Sequence, residues 1–278
     1  MLYRGMDRAA LDAAYNNGAA VPDAPRFRAD WAARSEAMRG RHAATLDIPY
    51  GPAPRAMLDL FLADARGSAT LIFIHGGYWQ TNAKESFAFV AEGPLAHGIN
   101  VASLGYTLAP EASMDQIAGE TGAATGWLAA NLARYGVDPA PLYISGWSAG
   151  GHLTATAMGD PRIKGGLAVS GIYDLEPIRR CYLNDKLGLD AAAARRNSPL
   201  FHLPERAGRL VVTVGSAELP ELQRQSAEYF AAWTAHGLAA DFVALPGCNH
   251  FSAIEELARP GGRLVAALRQ LIADTAGG

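Results

Sequence analysis

Ser148 is the residue from which a reactive site can be inferred in this sequence. It stands in Gly146-Trp-Ser-Ala-Gly150, directly after the apolar and β-branched run Leu142-Tyr-Ile-Ser145 and before a segment with helical periodicity. A serine in a G-x-S-x-G pattern between strand and helix occupies a sharp turn that exposes its hydroxyl, and the glycines let strand and helix approach closely. The N-terminus of the helix that follows favours negative charge at the same point. We therefore expect Ser148 to be a nucleophile.

Two further segments carry groups that such a serine needs. A serine hydroxyl is a poor nucleophile until an imidazole accepts its proton, and His250 in Gly247-Cys-Asn-His-Phe251 follows the last predicted strand. The glycine pair in His75-Gly-Gly-Tyr-Trp79 follows a buried strand, so its backbone N–H groups can converge on a carbonyl oxygen. We predict that His250 is the base and that His75 orders the glycine loop by hydrogen bonding.

The elements that position these residues alternate between strand and helix, which indicates a mostly parallel sheet covered by helices on both faces. Thr70-Leu-Ile-Phe-Ile74 is continuously apolar, as in a strand buried on both sides. Before it, Arg41–Asp47 and Met57–Ala63 predict a hairpin-like pair of strands. The later predicted strands are 100–104, 142–145, 165–170, 210–214 and 241–245, and the predicted helices are 83–97, 113–135, 149–159, 221–236 and two helical turns split by Pro260-Gly-Gly262.

Two segments stand apart from this alternation. Residues 1–40 predict an N-terminal arm of two helices packed over the main domain, with Asn17-Gly18 as a stop signal after the first helix. Residues 176–207 contain three prolines among short helical pieces, which is where a lid or gating segment is expected. The remaining pattern shows no linker, so the 278 residues are predicted to form one domain.

Composition excludes several other classes of protein. The net charge is −3 without a basic cluster, so neither nucleic acid nor an anionic membrane surface is an expected partner. The charged N-terminus lacks the apolar core of a signal peptide, which predicts a cytoplasmic protein. Cys181 and Cys248 match no metal or redox spacing, and we predict neither metal nor cofactor. A homodimer is left open.

Ser148, the His75-Gly-Gly loop and the His250 segment together resemble the α/β-hydrolase fold, whose chain order is nucleophile, acid, histidine. Within that fold, His75-Gly-Gly-Tyr-Trp79 is more similar to the kynurenine formamidases, or arylformamidases, than to lipases, whose loop is often His-Gly-Gly-Gly. The same Tyr-Trp signature also occurs in bacterial esterases and amidases. The resemblance covers nearly the whole chain and is supported by Tyr15-Asn-Asn17, Gly171-Ile-Tyr-Asp-Leu175 and Arg224-Gln-Ser226.

The acid of the expected triad has more than one candidate. Glu218, after the strand 210–214, falls where the related hydrolases usually place Asp, and a Glu can orient a histidine equally well. Glu221 is the alternative on the same loop. Asp174 follows the preceding strand and is expected to brace the lid instead.

The resemblance also implies an oxyanion hole and a substrate pocket. The backbone N–H of Ala149 is expected to act with those of Gly77 and Tyr78, since side chains do not matter for such donors. Five aromatic residues near the motifs are expected to line an aromatic-rich pocket, with core packing as the alternative for Trp79 and Trp147. These residues are Tyr78, Trp79, Trp147, Tyr173 and Phe251.

The activity implied by the resemblance is hydrolysis of an acyl bond, with an N-formyl or small acyl group on an aromatic amine as substrate. A carboxylesterase for short acyl esters is the rival, because both reactions use the same apparatus. A non-catalytic receptor of the same fold is less consistent, since such proteins are expected to lose a triad member. A nucleotide-binding domain is not supported, because Gly146-Trp-Ser-Ala-Gly-Gly151 lacks the G-x-G-x-x-G spacing.

Overall fold

The fold is built on one sheet with helices on both faces. The computed structural model describes residues 1–41, 44–63, 69–137 and 141–275. Within these ranges the strands are β1 (Ala44–Pro49), β2 (Met57–Phe61), β3 (Thr70–Ile74), β4 (Asn100–Leu104), β5 (Leu142–Trp147), β6 (Ile163–Val169), β7 (Arg209–Gly215) and β8 (Ala240–Leu245). They form a single sheet in the order β1-β2-β4-β3-β5-β6-β7-β8. The β1–β2 and β2–β4 pairs are antiparallel and the other pairs are parallel, which confirms the prediction of a mostly parallel sheet.

Helices connect most of the strands. The α-helices are α1 (Arg8–Ala14), α2 (Asn17–Ala20), α3 (Ala24–Arg39), α4 (Glu92–Leu95), α5 (Met114–Asn131), α6 (Ala149–Ala157), α7 (Glu176–Arg180), α8 (Asn184–Leu187), α9 (Ala191–Arg196), α10 (Pro220–Ala235), α11 (Ser252–Ala258) and α12 (Arg263–Thr275). Three 3-10 helices cover Lys84–Ala91, Leu132–Tyr135 and Pro199–Phe201.

The central strand β3 shows why its sequence carries no polar alternation. All five of its residues are buried. Ile72 and Ile74 pack into one hydrophobic cluster, whereas Leu71 and Phe73 pack into a second cluster on the opposite face. The carboxyl ends of the parallel strands therefore meet at one edge between two cores, where the loops that carry the predicted site residues follow.

The predicted helix 83–97 is wrong as a single α-helix. The chain forms the 3-10 helix Lys84–Ala91 and then the short α4. Pro94 explains the break, because it has no N–H to donate to the carbonyl of Val90, as a continuous α-helix would require. In contrast, α5 begins with a capping box, in which Gln116 N donates to Ser113 Oγ at 3.3 Å and Ser113 N donates to Gln116 Oε1 at 2.8 Å.

The N-terminal arm and the proline-rich segment lie against each other. The predicted stop at Asn17-Gly18 is instead the start of α2, which Asn16 caps by accepting from Ala19 N at 3.1 Å. The segment 176–207 contains α7, α8 and α9, and Tyr182 N donates to Asp12 Oδ1 in the arm at 2.8 Å. A lid role for this segment stays a prediction. Residues 42 and 43 of the predicted first strand lie outside the described residues, and β1 extends to Pro49.

Candidate active site

The turn that carries Ser148 has the strained backbone that its sequence pattern predicts. β5 ends at Trp147 and α6 begins at Ala149, and Ser148 between them has φ 60° and ψ −116°. Positive φ is costly for a residue with a side chain. The flanking glycines permit the close approach, because a Cβ on Gly150 would lie 2.0 Å from the carbonyl oxygen of Ile74 in β3. Ser148 N donates to Val169 O at 2.8 Å, which fixes the turn against β6.

Ser148, His250 and Glu218 form a continuous hydrogen-bonded chain. His250 Nε2 lies 3.1 Å from Ser148 Oγ, and His250 Nδ1 lies 2.6 Å from Glu218 Oε2. All three residues are at most 5% exposed. With Nδ1–H donated to the carboxylate, the imidazole presents a free lone pair at Nε2 toward the serine hydroxyl. This is the geometry of a nucleophile, a base and an orienting acid.

Hydrogen bonds to Oε1, the carboxylate oxygen that does not contact His250, hold Glu218 in place. Glu218 Oε1 accepts from Ser170 Oγ at 2.5 Å and from Gly215 N at 2.7 Å. These donors lie at the ends of β6 and β7, two neighbouring strands of the sheet. Ser170 was not identified from the sequence, because nothing local to Gly165-Gly-Leu-Ala-Val-Ser170 indicates a partner 48 residues away.

The structure does not bring Glu221 or Asp174 to the histidine. Glu221 Oε2 accepts from Arg224 Nη2 at 2.7 Å and from Tyr15 Oη at 3.0 Å. Burial alone would raise the pKa of Glu221, but the hydrogen bond and charge of Arg224 hold it below its usual value. Asp174 accepts from Tyr3 Oη at 2.9 Å and from Glu176 N at 2.9 Å, so it connects the arm to the segment 176–207, and its role in bracing a lid stays a prediction.

The glycine loop lies directly beside Ser148. A Cβ on Gly76 would lie 3.0 Å from Ser148 Cβ, and Gly77 has φ 120°, which favours glycine. Tyr78 and Trp79 also have positive φ, 51° and 60°. Within the described part of the chain, the N–H groups of Gly77, Tyr78 and Ala149 have no acceptor. The role of these three N–H groups as oxyanion donors stays a prediction.

His75 and His152 surround the site as neutral, buried rings. His75 Nδ1 donates to Gly76 O at 2.8 Å, in agreement with its predicted role in ordering the loop, and His75 stacks on Tyr106. His152 Nε2 donates to Asn197 O at 2.7 Å. Burial lowers the pKa of each imidazole from 6.5 to about 4. Both rings are therefore uncharged near neutral pH, and neither is hydrogen-bonded to Ser148 Oγ in the described chain.

A cavity of about 520 Å³ opens onto Ser148 and His250. Tyr78, Trp147 and Phe251 lie in its wall, as predicted. Its lining residues are Asn16, Asn17, Gly18, Arg28, Trp31, Gly77, Tyr78, Thr81, Asn82, Ser86, Phe87, Trp147, Ser148, Tyr182, His250 and Phe251. The volume suits a small aromatic molecule.

The structure does not place two of the five predicted pocket residues at the cavity, and for one of them, Trp79, core packing was the alternative. Trp79 and Tyr173 are fully buried and do not line the cavity. Trp79 packs edge-on against His152 at 4.9 Å between ring centroids, and Tyr173 stacks on Tyr229 at 4.2 Å. The positive φ of Trp79 helps to explain the difference, since the direction of a side chain in such a turn cannot be inferred from its neighbours in sequence.

The arm contributes five lining residues that the sequence analysis did not assign to the site, Asn16, Asn17, Gly18, Arg28 and Trp31. The position of Tyr78 depends on this arm. Tyr78 Oη donates to Tyr15 O at 2.7 Å and accepts from Asn17 Nδ2 at 3.0 Å. The segment Tyr15-Asn-Asn17, part of the resemblance to the kynurenine formamidases, was the sequence signal for the arm's contribution to the site.

A metal-binding cluster and a membrane-spanning helix are both absent from the residues that the structure describes. Among them, no group of three or more His, Cys, Asp or Glu side chains could hold a metal ion. No described helix is both long and apolar enough to cross a membrane. The cytoplasmic location stays a prediction.

Comparison with known proteins agrees with the geometry. The family model named BD-FAE matches residues 58–161, and that of the prolyl oligopeptidase family matches residues 123–262. Kynurenine formamidase of Danio rerio is 33% identical over 242 residues, which are 82% of this chain and 81% of the relative. The chain belongs to the α/β-hydrolases, in the family of the kynurenine formamidases.

Other members of the superfamily carry different names. Esterase LipQ of Mycobacterium tuberculosis is 29% identical over 81% of this chain and 61% of its own length. A solved structure from Silicibacter sp. TM1040, whose description proposes a thioesterase, is 34% identical with a TM-score of 0.84, covering 93% of this chain and 98% of that one. All of these names describe hydrolysis of an acyl bond.

Proposed function

We propose that this α/β-hydrolase is a metal-independent serine hydrolase that removes a formyl or other small acyl group from an aryl amine. The observation that carries the proposal is the position of His250 between Ser148 Oγ at 3.1 Å and Glu218 Oε2 at 2.6 Å, in a chain related to kynurenine formamidases. The aromatic wall formed by Tyr78, Trp147 and Phe251 supports an aryl substrate.

The reaction begins with attack by Ser148 Oγ on the acyl carbon while His250 Nε2 takes the hydroxyl proton. Glu218 holds the imidazole through Nδ1 and stabilises the imidazolium that forms. The carbonyl oxygen becomes an oxyanion, and the N–H groups of Gly77, Tyr78 and Ala149 stabilise it.

Collapse of this intermediate breaks the bond between the acyl carbon and nitrogen. His250 returns its proton to the nitrogen, since an amide nitrogen leaves only when protonated. Water then attacks the acyl ester on Ser148, with His250 taking one proton from the water and returning it to the serine oxygen. The products are the aryl amine and formate, or the corresponding small acid.

Carboxylesterase activity is the second candidate. Similarity to Esterase LipQ favours it, and esters pass through the same acyl-serine intermediate. The distinction rests on the leaving group, because an activated ester departs without proton donation and an amide does not.

A panel of substrates tests the proposal. We expect N-formylkynurenine or formanilide to show a larger rate enhancement over its uncatalysed reaction than p-nitrophenyl acetate does. Ser148→Ala is expected to abolish turnover of every member. Rapid ester turnover with no release of amine from any anilide would assign the chain as a carboxylesterase.

A further inference from the structure

Arg28 is a cation in the wall of the Ser148 cavity that the proposed reaction does not use. It lies in the second turn of α3 and its side chain is exposed at the cavity. The guanidinium carbon lies 5.1 Å from the centroid of the Phe251 ring, and Phe251 directly follows His250. Arg28 is therefore close to the reacting groups without belonging to the hydrogen-bonded chain.

Two other arginines in or beside the arm are neutralised by carboxylates. Arg34 pairs with Asp30, Glu92 and Glu255, and Arg224 pairs with Glu221 and Glu228. Within the described ranges, Arg28 makes no ion pair, and its guanidinium makes a cation–π contact with Phe251. The lining residues of the cavity include no Asp, Glu or Lys. Among the described residues of the wall, Arg28 is thus the one permanently charged side chain.

The surroundings of Arg28 favour binding of a planar anion. The guanidinium carbon lies over the Phe251 ring, and contact with an aromatic ring is a preferred arrangement for arginine. Gly18 also lies near the guanidinium, since a Cβ on Gly18 would be 3.6 Å from Arg28 Nη2. The N–H groups at the rim of the plane can then donate to both oxygens of a carboxylate.

We propose that Arg28 forms an anion subsite of the cavity, which selects aryl amides or esters that carry a carboxylate away from the scissile acyl group. The inference rests on the proposed function for the bond that is cleaved, but the binding of the anion does not depend on turnover.

Matched substrates test the subsite. 3-Formamidobenzoate carries a carboxylate, and 3-formamidobenzamide is its neutral counterpart. We expect Arg28→Gln to lower the ratio of kcat/KM for the anion to kcat/KM for the neutral amide by about tenfold, mainly through KM, because a remote contact binds ground and transition states alike. Arg28→Lys is expected to keep part of the preference, since it keeps the charge but loses the planar fork.

Arg26→Gln is the matched control. Arg26 lies on the same helix, is exposed and is not among the lining residues, so its loss removes the same charge without touching the cavity. We expect it to leave the ratio unchanged. An equal ratio in the parent chain and Arg28→Gln, or an equal fall in Arg26→Gln, would overturn the subsite.

Binding to the Ser148→Ala variant separates this inference from the proposed function. Calorimetry should show 3-formamidobenzoate binding about tenfold more weakly when Arg28→Gln is added, with little change for 3-formamidobenzamide. This result would support the subsite even if no anilide were hydrolysed, whereas unchanged binding of the anion would overturn it even if the proposed activity were found.

Discussion

At the residue scale, Ser170 accounts for the use of glutamate at position 218. Ser170 Oγ and Gly215 N both donate to Glu218 Oε1, so the longer side chain is anchored at one oxygen and presents the other to His250. A glutamate has one more rotatable bond than an aspartate, and these two hydrogen bonds restrict it. The acid is thus positioned by the ends of β6 and β7.

Exchange of each candidate acid for its amide tests this assignment. Glu218→Gln is expected to lower kcat by roughly 10⁴-fold, because an amide beside Nδ1 favours the wrong imidazole tautomer. Glu221→Gln keeps the chain Ser148, His250 and Glu218 intact and is expected to change kcat by less than about threefold. Steady-state kinetics of both variants, with circular dichroism to check folding, gives the comparison.

The reverse order of the two variants would move the acid to Glu221. Equal and small effects would show that neither carboxylate orients the histidine.

At the element scale, the N-terminal arm holds the glycine loop. Tyr78 is bonded to Tyr15 O and Asn17 Nδ2, and the Tyr15 hydroxyl in turn donates to Glu221 and accepts from Gln225 Nε2 at 2.8 Å. The arm thereby connects α10 to the loop that carries Gly77 and Tyr78 in the cavity wall. The hydrogen bonds from the arm fix the backbone of this loop, in which Gly77, Tyr78 and Trp79 all have positive φ.

Tyr78→Phe tests the effect of the arm on the loop. Loss of both hydrogen bonds is expected to lower kcat by about tenfold, since small displacements of oxyanion donors weaken transition-state binding. The free energy of unfolding should fall by about 1–3 kcal/mol. Turnover and urea denaturation measure the two effects.

Tyr135→Phe serves as the control, because its hydroxyl makes no hydrogen bond within the described part of the chain and lies outside the cavity wall. Unaltered turnover in Tyr78→Phe would show that the arm does not position the donors.

Short sequence patterns predicted the features that depend on neighbouring residues, but not the contacts between segments that are distant in sequence. The turn at Ser148, the glycine loop and the parallel sheet follow from short patterns, because each depends on neighbouring residues and on strand periodicity. The participation of Arg28 and Trp31 in the cavity depends on how α3 crosses the domain, which no local pattern encodes. Tyr173 was wrongly placed in the pocket and Trp79 adopts the core-packing alternative, since nearness to a motif in sequence does not determine which way a ring points.

At the scale of the whole molecule, buried neutral histidines make stability depend on pH. His75 and His152 have pKa values of about 4 in the folded state, against 6.5 in the absence of burial. Between these values the unfolded chain binds more protons than the folded one, so stability rises with pH and is lost as pH falls from 6.5 toward 4.

His152→Gln should reduce this dependence. Gln can still donate to Asn197 O, but it does not titrate, so the slope of the unfolding free energy between pH 4.5 and 6 should fall by up to about 1.4 kcal/mol per pH unit. Denaturation at several pH values measures the slope. His236→Gln, which changes an exposed histidine, is the control, and an equal change of slope in both variants would contradict the prediction.

The proposed mechanism depends on acyl transfer through Ser148, and release of formate from N-formylkynurenine tests this transfer most directly. The parent chain should release formate and aryl amine in equal amounts, and Ser148→Ala should be slower by roughly 10⁴-fold or more while it remains folded. Unchanged formate release by Ser148→Ala, or no release from any N-formyl aryl amine by the parent chain, would contradict the account.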